Sequence, residues 1–370
     1  MTTRRLSAVV LAAGEGSRMR SARPKPLHML CGRPMVRYVL DAVPREGLDR
    51  VVVVVGHGGE RVTKKLMEDG DGLPLTFVEQ QRQRGTGDAV AVGLTGLHED
   101  DLSDDEDVLV LLGDTPLLRL ETIEGLVAEH RLSGAACTIL TARVDDPTGY
   151  GRIVRRPKDD QVSRIVEQAD ASPEELTIDE INTGIFCFRR SLLAPALRRI
   201  TPDNTQGELY LTDVVEVLAT AGHKVVSVVA ADPDETQGVN DRRQLAAAEA
   251  ALRDRTNRSW LARGVTMVDP ATTYIDTTVE LASDVTIFPG AILQGRTRIG
   301  QGVEIGPGCR LVDCTVGERT TLEHTVARLA SIGPDCTVGP YAVLEPGAQV
   351  PSGTRTGPFY TGDPEGVAEA

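Results

Sequence analysis

The chain has 370 residues, which is long enough for two domains with a sizeable core. Its formal net charge of −14 and pI near 5.0 exclude non-specific binding to nucleic acid or to an anionic membrane surface. Both would require an excess of Lys and Arg. No run approaches the roughly 18 apolar residues that span a bilayer. The six cysteines lack the spacing of a zinc site, which indicates reduced thiols in a cytoplasmic protein.

The first apolar run, residues 6–11, predicts a buried strand that leads into a glycine-rich loop. Gly14 and Gly16 allow backbone N–H groups to turn toward an anion. Arg18 and Lys25 add positive charge where a polyphosphate would lie. The loop lacks the third glycine of a dinucleotide fingerprint and the Gly-Lys-Ser/Thr ending of a P-loop. It therefore favours phosphate binding of another kind, with an ordinary strand-to-turn connection as the alternative.

Short apolar runs alternate with stretches of helical spacing as far as about residue 230. Residues 51–55 and 108–112 are fully apolar, and residues 34–43 and 59–67 have helical spacing. This alternation predicts an α/β fold, with a doubly wound, Rossmann-like parallel sheet in a first domain at residues 1–240. Ligands of such sheets bind outside the carboxyl ends of the strands, so the loops there are the place to look for chemistry.

Three loops follow the predicted strands: the glycine-rich loop, residues 80–88 with GTGDA, and residues 113–117 with GDTPL. We expect them to converge on one edge of the sheet. Asp114 comes directly after an apolar strand, where a carboxylate can bind a divalent cation. A helix N-cap or turn carboxylate is equally compatible with Asp114 alone. Asn240, in QGVND, is a second candidate metal ligand.

A second group of loops mixes Gly, Glu, Asn, Thr and Tyr, which suits hydrogen bonding to a hydroxyl-rich ligand. The loops are residues 148–152, 165–168, 180–184 and 207–213. Each of them alone is more often a turn than a sugar site. Their concentration in one segment favours the sugar site.

Residues 241–263 contain neither Gly nor Pro and predict one amphipathic helix that connects two domains, with Trp260 used for packing. Beyond it apolar residues recur every six positions, the pattern of a parallel β-helix. We expect about three to four coils in a domain at residues 264–357, followed by a disordered tail at residues 358–370. The predicted inward residues are Ile287, Leu293, Ile299, Ile305, Leu311, Ile332, Val338, Leu344 and Val350.

The motifs, taken in order, resemble the bacterial bifunctional N-acetylglucosamine-1-phosphate uridylyltransferase/glucosamine-1-phosphate acetyltransferase family. The resemblance covers residues 5–350 and depends on LAAGEGSRM with PKPLH, RGTGDA, LGDTPL, DDPTGYGR, EINTG, GELYLTD and GVNDR. It implies transfer of UMP from UTP to N-acetylglucosamine 1-phosphate, with Mg²⁺ as cofactor, in the synthesis of UDP-N-acetylglucosamine for peptidoglycan. It also implies a left-handed β-helix through which the chain forms a homotrimer, and no nucleic-acid or membrane partner.

The resemblance implies a role for each site residue. The phosphate oxygen of the sugar 1-phosphate attacks the α-phosphorus of UTP in line, so catalysis consists of positioning and charge neutralisation. The catalytic residues are Arg18 and Lys25; the nucleotide-binding residues are Ala12, Ala13, Gly14, Gln80, Gly85 and Thr86; the sugar-binding residues are Gly151, Glu167, Asn182 and Thr212; and the metal ligands are Asp114 and Asn240.

Some positions depart from the family pattern. Val343 and Glu345 stand where arginines are usual near the second substrate's phosphate, and no stretch after residue 350 matches the family's acetyltransferase segments. We therefore expect no acetyl transfer. Leu112 stands beside the metal Asp where family members often have Tyr, which affects sugar selectivity.

Three other functions remain open. The first is the same reaction on another sugar 1-phosphate or nucleoside triphosphate, since adenylyltransferases for glucose 1-phosphate also carry a β-helix. The second is a non-catalytic, trimeric scaffold that binds UDP-sugars, although Arg18, Lys25, Asp114 and Asn240 are all present. The third is acetyl transfer by the β-helix alone.

Overall fold

The computed structural model describes residues 4–56, 58–68, 72–97 and 106–364. The chain divides into two compact units. The first comprises Met1–His28 and Pro34–Leu245, and the second comprises Met29–Arg33 and Ala246–Ala370. Within the described ranges, no helix is both long and apolar enough to cross a membrane.

The described helices and strands between residues 35 and 143 alternate as the sequence predicts, whereas the four strands between residues 137 and 189 follow one another with no α-helix between them. The helical stretches at residues 34–43 and 59–67 correspond to α1 and α2. The strands are β1 (Arg5–Ala12), β2 (Met29–Leu30), β3 (Arg33–Pro34), β4 (Leu48–Val55), β5 (Leu75–Glu79), β6 (Glu106–Leu112), β7 (Cys137–Arg143), β8 (Arg152–Arg155), β9 (Val162–Val166), β10 (Glu180–Arg189) and β11 (Val225–Val229). The helices are α1 (Met35–Asp41), α2 (Glu60–Glu68), α3 (Thr86–Leu94), α4 (Leu120–Ser133), α5 (Arg190–Leu197), α6 (Asp213–Thr220) and α7 (Arg242–Ala262).

The main sheet has the strand order β11-β7-β10-β6-β1-β4-β5. Strand β1 pairs in parallel with β4 and β6, and β4 with β5, which confirms the predicted α/β class. Strand β10 is an exception to the predicted parallel sheet because it runs antiparallel to both β6 and β7. It follows the antiparallel pair of β8 and β9 rather than a crossover helix, and only a long crossover returns a chain in parallel.

Strand β4 shows why the sheet is covered on both faces. Val52 and Val54 belong to one hydrophobic core, whereas Val51, Val53 and Val55 belong to the other. Successive side chains of a strand point to opposite faces, so a continuous apolar run is buried only between two layers. This is the arrangement that the valine run predicts.

The carboxyl ends of β1, β4 and β6 meet at one edge of the sheet. Leu11 lies beside Val54 on one side and Leu112 on the other. The Gly113 N–H donates to the Leu11 carbonyl oxygen at 2.8 Å. A Cβ on Gly113 would lie 2.9 Å from that oxygen, so this approach of the two loops requires glycine. The predicted convergence of the loops therefore occurs.

The second unit is a left-handed parallel β-helix of three sheets, as predicted. Its sheets have the orders β12-β15-β18-β21-β24, β13-β16-β19-β22-β25-β27 and β14-β17-β20-β23-β26. Every predicted inward residue from Ile287 to Val350 is at most 3% exposed. The strands are β12 (Thr266–Met267), β13 (Tyr274–Ile275), β14 (Glu280–Leu281), β15 (Thr286–Ile287), β16 (Ile292–Gln294), β17 (Arg298–Ile299), β18 (Glu304–Ile305), β19 (Arg310–Val312), β20 (Thr315–Val316), β21 (Thr321–Leu322), β22 (Val326–Arg328), β23 (Ser331–Ile332), β24 (Thr337–Val338), β25 (Val343–Leu344), β26 (Gln349–Val350) and β27 (Thr361–Gly362).

The β-helix is longer than the predicted three to four coils. Each sheet has at least five strands, because the chain already coils at β12 and β13, where the hexapeptide pattern is absent. The predicted disordered tail at residues 358–370 is wrong for its first part. Strand β27 pairs with β25, and Tyr360 packs against the β-helix core. Residues 365–370 lie outside the described residues.

Helix α7 begins at Arg242 and ends at Ala262, one residue inside the predicted 241–263 at each end. Trp260 is partly buried against the β-helix core, in agreement with a packing role. The Arg263 guanidinium lies 5.1 Å from the centre of its ring.

Leu126 and Leu132, both on α4, provide a matched test of the hydrophobic core of the first unit. Leu126 is fully buried, whereas Leu132 is 85% exposed on the same helix. We expect Leu126→Ala to lower the free energy of unfolding of the first unit by about 2–5 kcal/mol. Leu132→Ala should change it by less than about 0.5 kcal/mol. Urea unfolding followed by circular dichroism measures both, and equal effects would contradict the burial of this helix face.

Candidate active site

A cluster of opposite charges lies where the loops after β1 and β6 meet. The Lys25 ammonium contacts the Asp114 carboxylate and donates to the Asn240 amide oxygen at 2.9 Å. The Arg18 guanidinium donates to the same Asn240 oxygen at 3.1 Å. Four residues that the sequence assigns to phosphate or metal binding are therefore in direct contact.

The glycines of the first loop make this cluster possible. Gly16 has a φ of 63°, in the left-handed region that favours glycine. A Cβ at Gly16 would lie 2.7 Å from the Cβ of Lys25. The loop can therefore fold back so that Lys25 reaches Asp114. A larger residue at Gly16 would collide with Lys25 and push it away from Asp114.

A cavity of about 340 Å³ opens beside the cluster. It is lined by backbone at residues 12–14, by Gln80 and Gln83, and by Gly85 and Thr86 at the start of α3. Gly85 has a φ of 107°, and a Cβ there would lie 2.5 Å from the Leu209 carbonyl oxygen. The small residues keep this cavity open.

A second cavity, of about 230 Å³, is also lined by Asp114. Its walls include Glu167, Asn182 and the loop at residues 149–151. The Asn182 side-chain oxygen accepts from the Gly184 N–H at 3.0 Å, which leaves the amide nitrogen as a donor for a ligand. Burial, and then the charge of Asp114, raise the pKa of the Tyr150 hydroxyl in the same loop. The cavity thus offers donors and acceptors on several sides.

Glu167 is a half-buried carboxylate that lines the second cavity. Burial raises its pKa, the hydrogen bond from the Thr212 hydroxyl at 3.0 Å lowers it in part, and the charge of Asp170 raises it further. Burial and then the charges of Glu216 and Glu167 raise the pKa of Asp213 to about 6. Glu167 and Asp213 therefore hold their protons to higher pH than ordinary carboxyls.

Arg152 supports the wall of the second cavity, a role that the sequence analysis missed. Its side chain is 2% exposed, donates to the Tyr150 carbonyl oxygen, and donates to the Gln168 side-chain oxygen at 2.9 Å. Gln168 also accepts from the Gly149 N–H at 3.2 Å. Arg152 and Gln168 thereby fix the loop at residues 149–151. Both residues lie in the predicted sugar-site loops at residues 148–152 and 165–168, but nothing in the sequence marks them as a pair.

The structure brings the predicted site residues to two adjoining cavities, and Arg18 lies beside them through its contact with Asn240. The first cavity is lined by Ala12, Ala13, Gly14, Lys25, Gln80, Gly85, Thr86 and Asp114. The second is lined by Thr86, Asp114, Gly151, Glu167, Asn182, Thr212 and Asn240. Asp114 and Thr86 therefore belong to both.

The donor set at Asp114 fits a hard divalent cation. The Asp114 carboxylate and the Asn240 amide oxygen converge on the Lys25 ammonium, so their geometry already suits a positive charge. Among the described residues no group of three or more His, Cys, Asp or Glu side chains could hold a metal alone. Phosphate oxygens and water would have to complete the coordination, which is the usual arrangement for Mg²⁺ at a nucleotide site.

Two adjoining cavities that share a carboxylate, with two cations beside it at the carboxyl edge of an α/β sheet, are an arrangement expected of a nucleotidyltransferase. Known proteins agree. The family profile of the MobA-like NTP transferase domain matches residues 8–267. The chain belongs to this family and to that of the bifunctional GlmU proteins, and it is an enzyme of the nucleotidyltransferase class.

The similarity to GlmU proteins covers nearly all of the chain. The bifunctional protein GlmU of Streptomyces coelicolor is 46% identical over 363 residues, which are 98% of this chain and 74% of that protein. The one from Streptomyces avermitilis is 48% identical over 353 residues, 95% of this chain and 72% of its own length. The one from Heliobacterium modesticaldum is 44% identical over 355 residues, with shares of 95% and 75%.

Replacing Thr212 tests the origin of the Glu167 pKa. The Thr212 hydroxyl stabilises the ionised form of Glu167, so Thr212→Val should raise the Glu167 pKa above its already raised value. A ¹³C NMR titration of labelled glutamates measures the shift, and Glu167→Gln identifies the resonance by its loss. A lower pKa in Thr212→Val would contradict the assigned direction.

Proposed function

We propose that the enzyme transfers UMP from UTP to N-acetylglucosamine 1-phosphate, with Mg²⁺ as cofactor, to give UDP-N-acetylglucosamine and pyrophosphate. The observation that carries the proposal is the position of Asp114 in both cavities. A nucleotide in the first cavity and a sugar phosphate in the second would place their phosphates on either side of this carboxylate. The resemblance of the motifs to the uridylyltransferase family supports the choice of substrates, which feed peptidoglycan synthesis.

The reaction needs positioning rather than a protein nucleophile. The phosphate oxygen of the sugar 1-phosphate attacks the α-phosphorus of UTP, and the bond to the β-phosphate oxygen breaks as pyrophosphate leaves. A phosphate monoester is already anionic at neutral pH, so no residue has to remove a proton. Arg18 and Lys25 hold the phosphates and neutralise the charge that gathers on the α-phosphoryl oxygens.

Asp114 and Asn240 would hold the magnesium ion together with phosphate oxygens. Bound there, Mg²⁺ would neutralise negative charge on the phosphates. Lys25 occupies the point on which both oxygens converge. We infer that the triphosphate draws Lys25 away from Asp114, so that nucleotide and metal bind together.

The second cavity suits an amino sugar. Glu167 in its ionised form accepts hydrogen bonds from sugar hydroxyls, and the Asn182 amide nitrogen donates to a carbonyl or hydroxyl oxygen. The backbone of Gly151 lies close to Glu167: a Cβ at Gly151 would be 3.2 Å from the nearer carboxylate oxygen. A larger residue at that position would displace the carboxylate from the ligand.

Other parts of the proposal concern the second unit. The sheet that contains β13 and β25 exposes Tyr274, Val326 and Val343 by 43%, 42% and 41%, which supports a homotrimer formed through this unit. Val343 and Glu345, in place of two arginines, support the absence of acetyl transfer within these 370 residues. Incubation with acetyl-CoA and glucosamine 1-phosphate should then release no free thiol.

A related candidate is the same transfer with a different sugar or nucleotide. Leu112 favours it, because this apolar side chain lines both cavities where the family often has tyrosine. Pyrophosphate release measured with a panel of nucleoside triphosphates and sugar 1-phosphates separates the two candidates.

Asp114→Asn tests the proposal through pyrophosphate release. With UTP, N-acetylglucosamine 1-phosphate and Mg²⁺, we expect robust turnover by the wild type and a fall in kcat of at least about 10²-fold in the variant. Asp254→Asn removes an exposed carboxylate on α7 and should leave the rate unchanged. EDTA should stop the reaction.

The same assay with four nucleoside triphosphates and several sugar 1-phosphates identifies the substrates. Preference for UTP with N-acetylglucosamine 1-phosphate is the expected result. Preference for another pair would replace the substrate assignment. No release with any pair would leave the scaffold function as the better explanation.

A further inference from the structure

Gln80 lies directly after β5, and only 4% of its surface is exposed. Its side-chain nitrogen donates to the Asp88 carboxylate at 2.8 Å and to the Gly85 carbonyl oxygen at 3.4 Å. Asp88 is in the first turn of α3. One end of the Gln80 amide is therefore held by two oxygens, one from Gly85 just before α3 and one from Asp88 in the first turn of that helix.

The two neighbours determine which end of the amide faces them. A carboxylate and a backbone carbonyl only accept hydrogen bonds, so the end of the Gln80 amide beside them must be the NH₂ group. The hydrogen-bond partners therefore determine which end of the Gln80 amide is nitrogen and which is oxygen, even though the two ends have nearly the same shape. The other end, the carbonyl oxygen Oε1, is consequently the group that Gln80 can offer to a ligand in the first cavity, which it lines.

We propose that Asp88 makes the site select uracil over cytosine by fixing the orientation of the Gln80 amide. This inference rests on the proposed function, in which a pyrimidine nucleotide occupies the first cavity. Uracil carries an N–H donor at ring position 3, whereas cytosine has a bare acceptor nitrogen there. The fixed Oε1 accepts from uracil N3–H but meets a lone pair on cytosine. Asp88 is thus a positioning residue that acts through Gln80.

The difference in hydrogen bonding between uracil and cytosine is large enough for the site to discriminate between the two nucleotides. A site built around one hydrogen bond rejects an analogue that cannot complete it, because buried polar groups are then left unpaired. Gln80 is buried, so the surrounding water cannot replace the missing partner. Without Asp88 the amide could rotate and present its nitrogen, which suits cytosine.

Asp88 also has a purely structural role. An acidic residue in the first turn of a helix stabilises the N-terminal end of the helix dipole. Loss of this interaction would affect stability and both nucleotides alike. A change in the ratio of UTP to CTP use is therefore the readout that a structural role would not move.

Asp88→Asn is the main test, because it keeps the size of the side chain but allows it to donate to Oε1. We expect kcat/KM with UTP to fall about tenfold and the UTP-to-CTP ratio of kcat/KM to fall by at least that factor. Asp88→Ala removes the acceptor without adding a donor, so the ratio should fall less. Thermal unfolding of each variant confirms that it is folded, and equilibrium binding of UTP and CTP by calorimetry repeats the comparison without turnover.

The Gln80→Ala background supplies the control. If Asp88 acts through Gln80, adding Asp88→Asn to Gln80→Ala leaves the base ratio where Gln80→Ala alone set it. An unchanged UTP-to-CTP ratio in Asp88→Asn would overturn the proposal. So would a change in this ratio that is equally large when Asp88→Asn is made in the wild type and in Gln80→Ala. A wild type that neither turns over nor binds UTP would instead overturn the proposed function, so the two failures are distinguishable.

Discussion

The contact of Lys25 with Asp114 and Asn240 is the interaction on which the site depends. It joins the loop after β1, the loop after β6 and the segment that leads into α7, which are far apart in the sequence. Because the contact fixes all three, it also fixes the position at which the two cavities meet.

The electrostatics of this contact explain why Lys25 and Asp114 are paired. Lys25 and Asp114 are both largely buried, with side-chain exposures of 12% and 24%. Charges so placed need a partner, since an unpaired buried charge is strongly destabilising. The Lys25 ammonium is the partner of the Asp114 carboxylate. If phosphates and a metal ion bind as proposed, each charge would exchange its partner without becoming unpaired.

The sequence was informative wherever a local pattern has one structural outcome. Glycines after apolar strands predicted the loops at one sheet edge, and the six-residue period predicted inward residues such as Leu311, which is fully buried. Between Leu311 and Ile332 the period slips, yet Val316, Leu322 and Ala327 take the inward positions. Stacking on the previous coil therefore determines which residues point inward as much as the six-residue spacing does.

The missed features depend on contacts that no local pattern specifies. The antiparallel direction of β10 results from its connection through β8 and β9. The support of the loop at residues 149–151 by Arg152 requires Gln168 from another strand end. The end of the chain reads as polar and small, but Tyr360 finds a place on the core of the β-helix. Long-range packing decided each of these cases.

Magnesium binding in the absence and presence of nucleotide tests the central claim most directly, because the two proposed metal ligands, Asp114 and Asn240, both contact Lys25. By calorimetry, we expect UTP to raise the Mg²⁺ affinity of the wild type by about tenfold or more. We expect Lys25→Met to bind Mg²⁺ more tightly than the wild type when no nucleotide is present. Equal Mg²⁺ affinity in the free wild type and in Lys25→Met would contradict the exchange of Lys25 for the metal ion.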